Sequence, residues 1–149
     1  VYGEAMLTLQ PDDGKAEILD EAARLLRPGG RYGIHELGLV PDDIPEETKT
    51  AIYDDLAEVT RVNSRPLTES EWIDRLEAAG FDVTWIDSAP MALLSPRRVI
   101  ADEGLLRTLK FGYNVLTPPA ARRRLSAMRS VLAKYDEQLT AVAVVAENQ

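Results

Sequence analysis

The sequence predicts an α/β fold, in which helices cover a central sheet. Apolar residues recur at three- and four-residue spacing in some segments, and alternate or run unbroken in others, as helices and strands require. These segments follow one another in the order strand, helix, strand, helix, strand, helices, strand. The length of 149 residues and the hydrophobic content of 45% suit one domain with its own core.

The first third of the chain predicts a strand–helix–strand unit. The apolar segment Val1 to Leu9 begins as a strand, and the helical spacing of apolar residues then predicts a helix from about Lys15 to Leu26. Pro28-Gly29-Gly30 ends this helix, because proline cannot continue the hydrogen bonding and glycine accepts positive φ. A second strand is expected from Arg31 to Leu37.

The middle of the chain predicts two helices and an edge strand. Segment 41–66 is typical of a short surface helix with a narrow apolar stripe, and Pro45 suits its first turn. Thr68 and Glu71 form a capping box, in which each side chain satisfies a backbone N–H at the start of the next helix. Phe81 to Trp85 alternates apolar with polar residues, which predicts a strand with one wetter face at the edge of the sheet.

The C-terminal part predicts a helical insert and a central strand. Helices begin at Ser95-Pro96 and Pro118-Pro119, because proline fits a first helical turn. Leu139 to Ala146 is a run of small and β-branched apolar residues, typical of a strand buried on both faces. No repeat or linker divides the chain, so residues 1–149 are expected to form one unit with cap-like segments at about 41–66 and 95–135.

Composition excludes several classes of function. The net charge of −8 and the pI near 4.7 disfavour nucleic-acid binding through phosphate attraction, so a small molecule or a protein is the expected partner. The absence of cysteine excludes disulfides and thiolate chemistry, and one histidine among scattered carboxylates gives no spacing for a metal site. No apolar run approaches the ~18 residues that span a bilayer, so we expect a cytoplasmic protein that does not enter membranes.

Three stretches of the sequence carry a family resemblance. They are Gly3-Glu4-Ala5-Met6-Leu7, the helix from Ile18 to Pro28-Gly29-Gly30-Arg31, and Leu67-Thr68-Glu69-Ser70-Glu71-Trp72 with Ala79-Gly80-Phe81. They resemble the segments that follow the fourth strand, lead into the fifth and lead into the sixth strand of class I S-adenosylmethionine-dependent methyltransferases, notably the branch acting on small molecules. The resemblance implies a partial Rossmann-like methyltransferase sheet, with strands equivalent to the fourth to seventh, flanking helices and a helical insert.

The resemblance also indicates what the sequence lacks. The family holds its cofactor mainly through a glycine-rich loop after the first strand and an acidic residue ending the second. No Gly-x-Gly occurs here, and Gly29-Gly30-Arg31-Tyr32-Gly33 runs from helix into strand, the reverse of the order such a loop needs. We therefore expect a truncated, C-terminal part of a methyltransferase that transfers a methyl group from S-adenosylmethionine to a small-molecule nucleophile. The chain alone is expected to be inactive and to bind no cofactor.

Candidate site residues follow from the same resemblance. It places Tyr2, Gly3 and Glu4 beside the cofactor, since ligands bind at the carboxyl ends of parallel strands. Glu4, His35 and Glu36 are the catalytic candidates, because a carboxylate or an imidazole there could orient the substrate or accept its proton. The structural alternatives are a solvated or capping Glu4, a turn at Gly3 and a structural histidine.

The sequence also supports expectations about further side chains, self-association and alternative functions. Arg122-Arg123-Arg124 predicts a solvated helix face, and Tyr113 and Asn114 predict core packing or a substrate cover. A first strand without its neighbour would expose unpaired backbone groups and apolar surface, so we expect a homodimer through Val1 to Leu9. A non-catalytic α/β module for self-association or protein binding is the main alternative. A degenerate dinucleotide-binding fragment is disfavoured by the missing glycine fingerprint.

Overall fold

The structure, a computed structural model, describes residues 1–90 and 119–149. The helix expected from Ser95-Pro96, together with Tyr113 and Asn114, lies outside these described residues. The strands are β1 (Tyr2–Glu4), β2 (Arg31–Leu39), β3 (Leu67–Thr68), β4 (Phe81–Pro90) and β5 (Leu139–Asn148), and the helices are α1 (Asp12–Leu25), α2 (Glu46–Thr60), α3 (Glu69–Ala78) and α4 (Pro119–Lys134). The predicted α/β class is confirmed.

The strands form one mixed sheet in the order β1-β2-β5-β4, with the short β3 paired to the end of β2. β1 and β3 run parallel to β2, whereas β5 runs antiparallel to both of its neighbours, β2 and β4. The central position predicted for the last strand and the edge position predicted for the strand from Phe81 are both confirmed. Within β1 and β2, Glu4 is the register partner of His35.

Helices cover both faces of this sheet. On one face, α1 and α3 bury side chains such as Leu19, Trp72 and Leu76 against Ile34 and Val144. On the other face, Leu37, Leu39 and Leu139 pack with residues of α2 and of the α4 end, including Ile52, Leu56 and Tyr135. The two sets of strand residues differ in parity, as they must when successive side chains point to opposite faces.

The capping box at the start of α3 is confirmed. The Thr68 hydroxyl accepts from the Glu71 backbone N–H at 3.4 Å, and the Glu71 carboxylate accepts from the Thr68 N–H at 2.9 Å. Lys49 of α2 also donates to Glu71 at 2.6 Å. Burial opposes ionisation of Glu71, but the bonds from Lys49 and Thr68 outweigh it and hold the pKa of this carboxyl below its usual value. The cap therefore also ties α2 to α3.

Several predicted boundaries were wrong, and tertiary packing explains the differences. α2 has 15 residues instead of being short, with Pro45 at its N-cap, and Ile52 is fully buried. β2 continues to Leu39 because β5 pairs along its whole length. β5 alternates buried with half-buried residues, so it is central but not equally covered on its two faces. Among residues 1–90 and 119–149, no helix combines the length and apolar character that crossing a membrane requires.

Candidate functional site

Glu4 and His35 meet where β1 ends. Because they are register partners on adjacent parallel strands, their side chains project from the same face, which is the face covered by α2 and α4. The His35 Nδ1 lies 3.7 Å from Glu4 Oε1, and the two side chains are 45% and 64% exposed. This separation allows charge attraction and exceeds the usual hydrogen-bond length. The structure thus brings together two of the three predicted catalytic residues.

The turn after Glu4 has an unusual backbone. Ala5 has φ of 51°, in the left-handed region that non-glycine residues seldom adopt. Its N–H donates to the His35 carbonyl at 2.8 Å, which fixes the turn against β2. Residues in such conformations persist only where the surroundings hold them in place, and they are frequent at functional sites.

Glu36 supplies that restraint. Its carboxylate, 3% exposed, accepts from the backbone N–H groups of Met6 at 3.0 Å, Leu7 at 3.0 Å and Thr8 at 2.9 Å, and from the Thr8 hydroxyl at 2.7 Å. The Thr8 oxygen in turn accepts from the Leu37 N–H at 3.2 Å. Both carboxylate oxygens are therefore engaged by the loop that follows β1. Glu36 thus holds the loop that follows Glu4, and its catalytic role stays a prediction.

His35 and Glu36 were expected at the end of their strand, and that placement was wrong. Both lie inside β2, which continues through Leu39 because β5 and β3 pair with its last residues. The strand that ends at the site is β1. His35 is therefore held by strand hydrogen bonding on both sides, with Glu4 opposite it in β1 and Ala143 opposite it in β5.

Tyr2 and Gly3 differ in their exposure. The Tyr2 side chain is 63% exposed and lies over Gly33 of β2, whereas Gly3 is buried. A Cβ at Gly3 would lie 3.1 Å from Tyr32 Oη and 3.2 Å from Met6 Sδ, so a larger residue would require these side chains to shift. The pKa of the Tyr32 phenol is raised by burial and by the nearby Glu36. The cofactor contacts expected of Tyr2 and Gly3 stay predictions.

A cavity of about 860 Å³ adjoins the Glu4–His35 pair. It lies between the sheet and the helices on that face, and most of its wall is apolar. Its main apolar lining residues are Leu37, Leu56, Val59, Leu125, Met128 and Leu132. Ala141, the β5 partner of Leu37, also lines it, and its small side chain leaves open space above the sheet.

A polar contact holds α4 over this cavity. The Asp55 carboxylate of α2 accepts from Lys134 Nζ at 2.6 Å and from the Tyr135 hydroxyl at 2.8 Å. These two bonds lower the pKa of Asp55 below its usual value. The three arginines at the other end of α4 are exposed, as predicted, and Arg124 also lies on the cavity wall.

Sequence reasoning missed the cavity and its helical walls. Leu125, Met128 and Leu132 recur at three- and four-residue spacing, but nothing in that spacing separates core packing from the lining of a cavity. Thr8 was not singled out, because its partner Glu36 is distant in the chain. In the described ranges, no cluster of three or more histidine, aspartate or glutamate side chains could hold a metal ion.

Comparison with known proteins adds one curated relative. The sequence matches no protein-family model. It is 34% identical, over 116 residues, to an uncharacterized protein of Haemophilus influenzae. The match covers 78% of this chain and 44% of that protein, so the chain spans less than half the length of this relative.

Solved structures match the fold over almost the whole chain. A proposed sarcosine dimethylglycine methyltransferase from Galdieria sulphuraria has 16% identity and a TM-score of 0.70, with 99% of this chain and 52% of that chain covered. The Haemonchus contortus phosphoethanolamine N-methyltransferase 2, bound to phosphomonomethylethanolamine and S-adenosylhomocysteine, has 15% identity and a TM-score of 0.61, with 99% and 32% covered. The [4+2]-cyclase SpnF has 17% identity and a TM-score of 0.60, with 99% and 48% covered. The chain therefore has the class I fold of S-adenosylmethionine-dependent methyltransferases, of which it spans a part.

Proposed function

We propose that this chain forms the methyl-acceptor side of a S-adenosylmethionine-dependent methyltransferase that acts on a small molecule. The observation that carries the proposal is the Glu4–His35 pair at the end of β1, which opens onto a cavity of about 860 Å³. Ligands of α/β folds bind beyond the carboxyl ends of parallel strands, and the pair lies at such an end. The shared fold with known methyltransferases supports the same reaction class.

His35 and Glu4 have complementary roles in this proposal. When bound, S-adenosylmethionine supplies an electrophilic methyl group for direct displacement by the acceptor's lone pair. The acceptor must lose a proton as it gains the methyl group, and the imidazole of His35 accepts that proton at Nε2. The Glu4 carboxylate faces Nδ1 at 3.7 Å, so it orients the ring with Nε2 available to the acceptor.

The cofactor fits this chain only in part. The exposed Tyr2 ring and the Glu4 carboxylate could contact it beside the transferred methyl group. The successive N–H groups of Met6, Leu7 and Thr8, which would suit anionic or carboxylate groups of a ligand, already donate to Glu36. The donors that bind most of the cofactor's polar groups must therefore come from elsewhere than residues 1–90 and 119–149.

This proposal is tested by calorimetric titration of S-adenosylhomocysteine into two proteins, this chain and its Haemophilus influenzae relative. We expect micromolar binding by the relative and at least 100-fold weaker binding by this chain, about 2.7 kcal/mol of binding free energy. The reason is that the described residues lack most of the polar donors. Tight binding by this chain would contradict our assignment of those donors, and no binding by the relative would contradict the methyltransferase proposal.

A second proposed property is self-association through β1. Within the described sheet, β1 pairs only with β2, so its other side has no strand partner there. Val1, Tyr2, Met6 and Leu9 are all exposed around it. The opposite edge strand, β4, carries Asp82 and Asp87, and charges on an edge strand oppose edge-to-edge pairing. We therefore propose a two-fold homodimer in which the β1 regions meet.

Light scattering across a concentration series tests this dimer. We expect a mass that approaches twice 16.5 kDa at high concentration. Tyr2→Asp is expected to keep the chain monomeric, because the new charge would be buried in the interface. Trp85→Asp is the matched control, since Trp85 is an exposed aromatic on β4 and lies outside that interface. A constant mass of 16.5 kDa, or a dimer lost only in the control, would rule out the β1 interface.

A further inference from the structure

We infer that the acceptor is an amphiphilic alcohol, with a long apolar body and one hydroxyl at its end. This inference rests on the proposed function, because it names the substrate class of the same site. The volume of about 860 Å³ lies in the range of roughly 300–1,000 Å³ that ligand cavities occupy. The wall groups that have no partner within the protein decide which kind of ligand the cavity can bind.

Most of the described polar side chains on the cavity wall already have partners within the protein. The Glu36 carboxylate binds the β1 loop, and the Thr8 hydroxyl donates to Glu36 and accepts from Leu37. The Thr60 hydroxyl donates to the Leu56 carbonyl at 2.7 Å and lies 3.3 Å from the buried Ser64 hydroxyl. A ligand hydroxyl or amide placed beside these groups would lose its water without gaining a full partner, which is costly.

The rest of the described wall is mostly apolar, and two helices supply its larger part. α2 contributes Leu56 and Val59, and α4 contributes Leu125, Met128 and Leu132. Arg124 also lies on the wall, but its exposed side chain can keep its guanidinium in water. The favourable interaction open to a ligand body is therefore burial of apolar surface between these helices.

The Glu4–His35 pair determines where the reacting end of the ligand lies. Glu4 and His35 lie together where β1 ends, and both side chains are partly exposed to the cavity and to solvent. Ala5 and Ala141 beside them are small enough to leave an approach for a ligand. The geometry thus accommodates one hydroxyl at the sheet and an apolar chain or ring system that extends between α2 and α4.

Calorimetric titration of hexanol, octanol and decanol into this chain, without cofactor, tests the inference. We expect affinity to rise about fourfold for each methylene, which corresponds to ~0.8 kcal/mol per buried CH₂. Decanediol is expected to bind at least tenfold more weakly than decanol, because its second hydroxyl would be buried among apolar side chains. Affinity that does not depend on chain length, or equal affinity for the diol, would overturn the inference.

Two variants on facing walls locate the binding. Met128→Asp and Val59→Asp each place a carboxylate on the wall, and each is expected to weaken decanol binding at least tenfold. Both positions are only half-buried, which limits the effect on folding, and circular dichroism checks it. Leu25→Asp is the control, because Leu25 is exposed on α1, on the other side of the sheet. Unchanged binding in both wall variants, or an equal loss in the control, would refute this location.

These measurements separate the inference from the proposed function. If decanol binds with the expected chain-length dependence but no methyl transfer is found in the Haemophilus influenzae relative, the cavity assignment stands and the methyltransferase proposal fails. If the relative methylates small polar acceptors and this chain binds no alcohol, the reaction class stands and the substrate class is wrong.

Discussion

His35→Ala is expected to lower the methyl-transfer turnover of a methyltransferase containing this chain by a factor on the order of 10²–10⁴, the usual contribution of a general base. Without the imidazole, the acceptor hydroxyl loses the group that accepts its proton in the proposed reaction. Glu4→Gln is expected to cause a smaller loss in the same direction, because it removes the carboxylate that faces the His35 ring at 3.7 Å. Steady-state kcat values for the three proteins provide the measurement.

Acceptors of different acidity show whether the loss caused by His35→Ala comes from proton transfer. The loss caused by His35→Ala should shrink for a nitrophenol that is already ionised at the assay pH, because that acceptor needs no base. Glu58→Gln is the matched control for Glu4→Gln, since Glu58 is exposed on α2 and does not line the cavity. Full activity in both His35→Ala and Glu4→Gln would show that the pair is not catalytic.

Stability should change little in these two variants. Both side chains are about half exposed or more, and surface substitutions of this kind usually change the free energy of unfolding by less than about 0.5 kcal/mol. An activity loss without a stability loss therefore distinguishes a functional pair from a structural one. Substitution of Glu36, by contrast, is expected to lower stability.

The parts of the fold that the sequence predicted correctly depend on local patterns. The capping box of Thr68 and Glu71 lies within one helical turn. The consecutive apolar residues of β5 indicate by themselves that the strand is central. Glu4 and His35 could be named because the carboxyl ends of consecutive parallel strands lie at the same edge of a sheet. The order of the strands does not specify their pairing register, so the separation of the two side chains could not be predicted.

The features that sequence reasoning missed depend on contacts between distant residues. Glu36 binds N–H groups 28 to 30 positions away, and no local pattern shows that a carboxylate will be enclosed by a loop. The contact of Asp55 with Lys134 joins residues 79 positions apart, and it places the apolar face of α4 over the cavity. Both contacts form only in the folded chain, where the sheet brings these distant segments together.

Glu36→Leu is expected to destabilise the chain by about 3–5 kcal/mol, because each buried donor left without an acceptor costs about 1–3 kcal/mol. Three backbone N–H groups and the Thr8 hydroxyl would lose their acceptor, and leucine offers none in return. Urea unfolding followed by circular dichroism measures this change. Against a typical total of roughly 5–15 kcal/mol for a domain, such a loss would leave a large unfolded fraction at moderate temperature.

Glu36→Gln separates the role of the charge from the role of the shape. Its amide oxygen can still accept from part of the loop, but its NH₂ group would face N–H donors, so we expect an intermediate loss of about 2 kcal/mol. Glu4→Gln is the matched control, because it makes the same chemical change at an exposed glutamate. If Glu36→Gln were as stable as this control, the four contacts would contribute little, and the left-handed turn at Ala5 would have to be held by the sheet itself. A graded loss, with leucine below glutamine, would instead show that the carboxylate of Glu36 fixes the loop that presents Glu4 to the cavity.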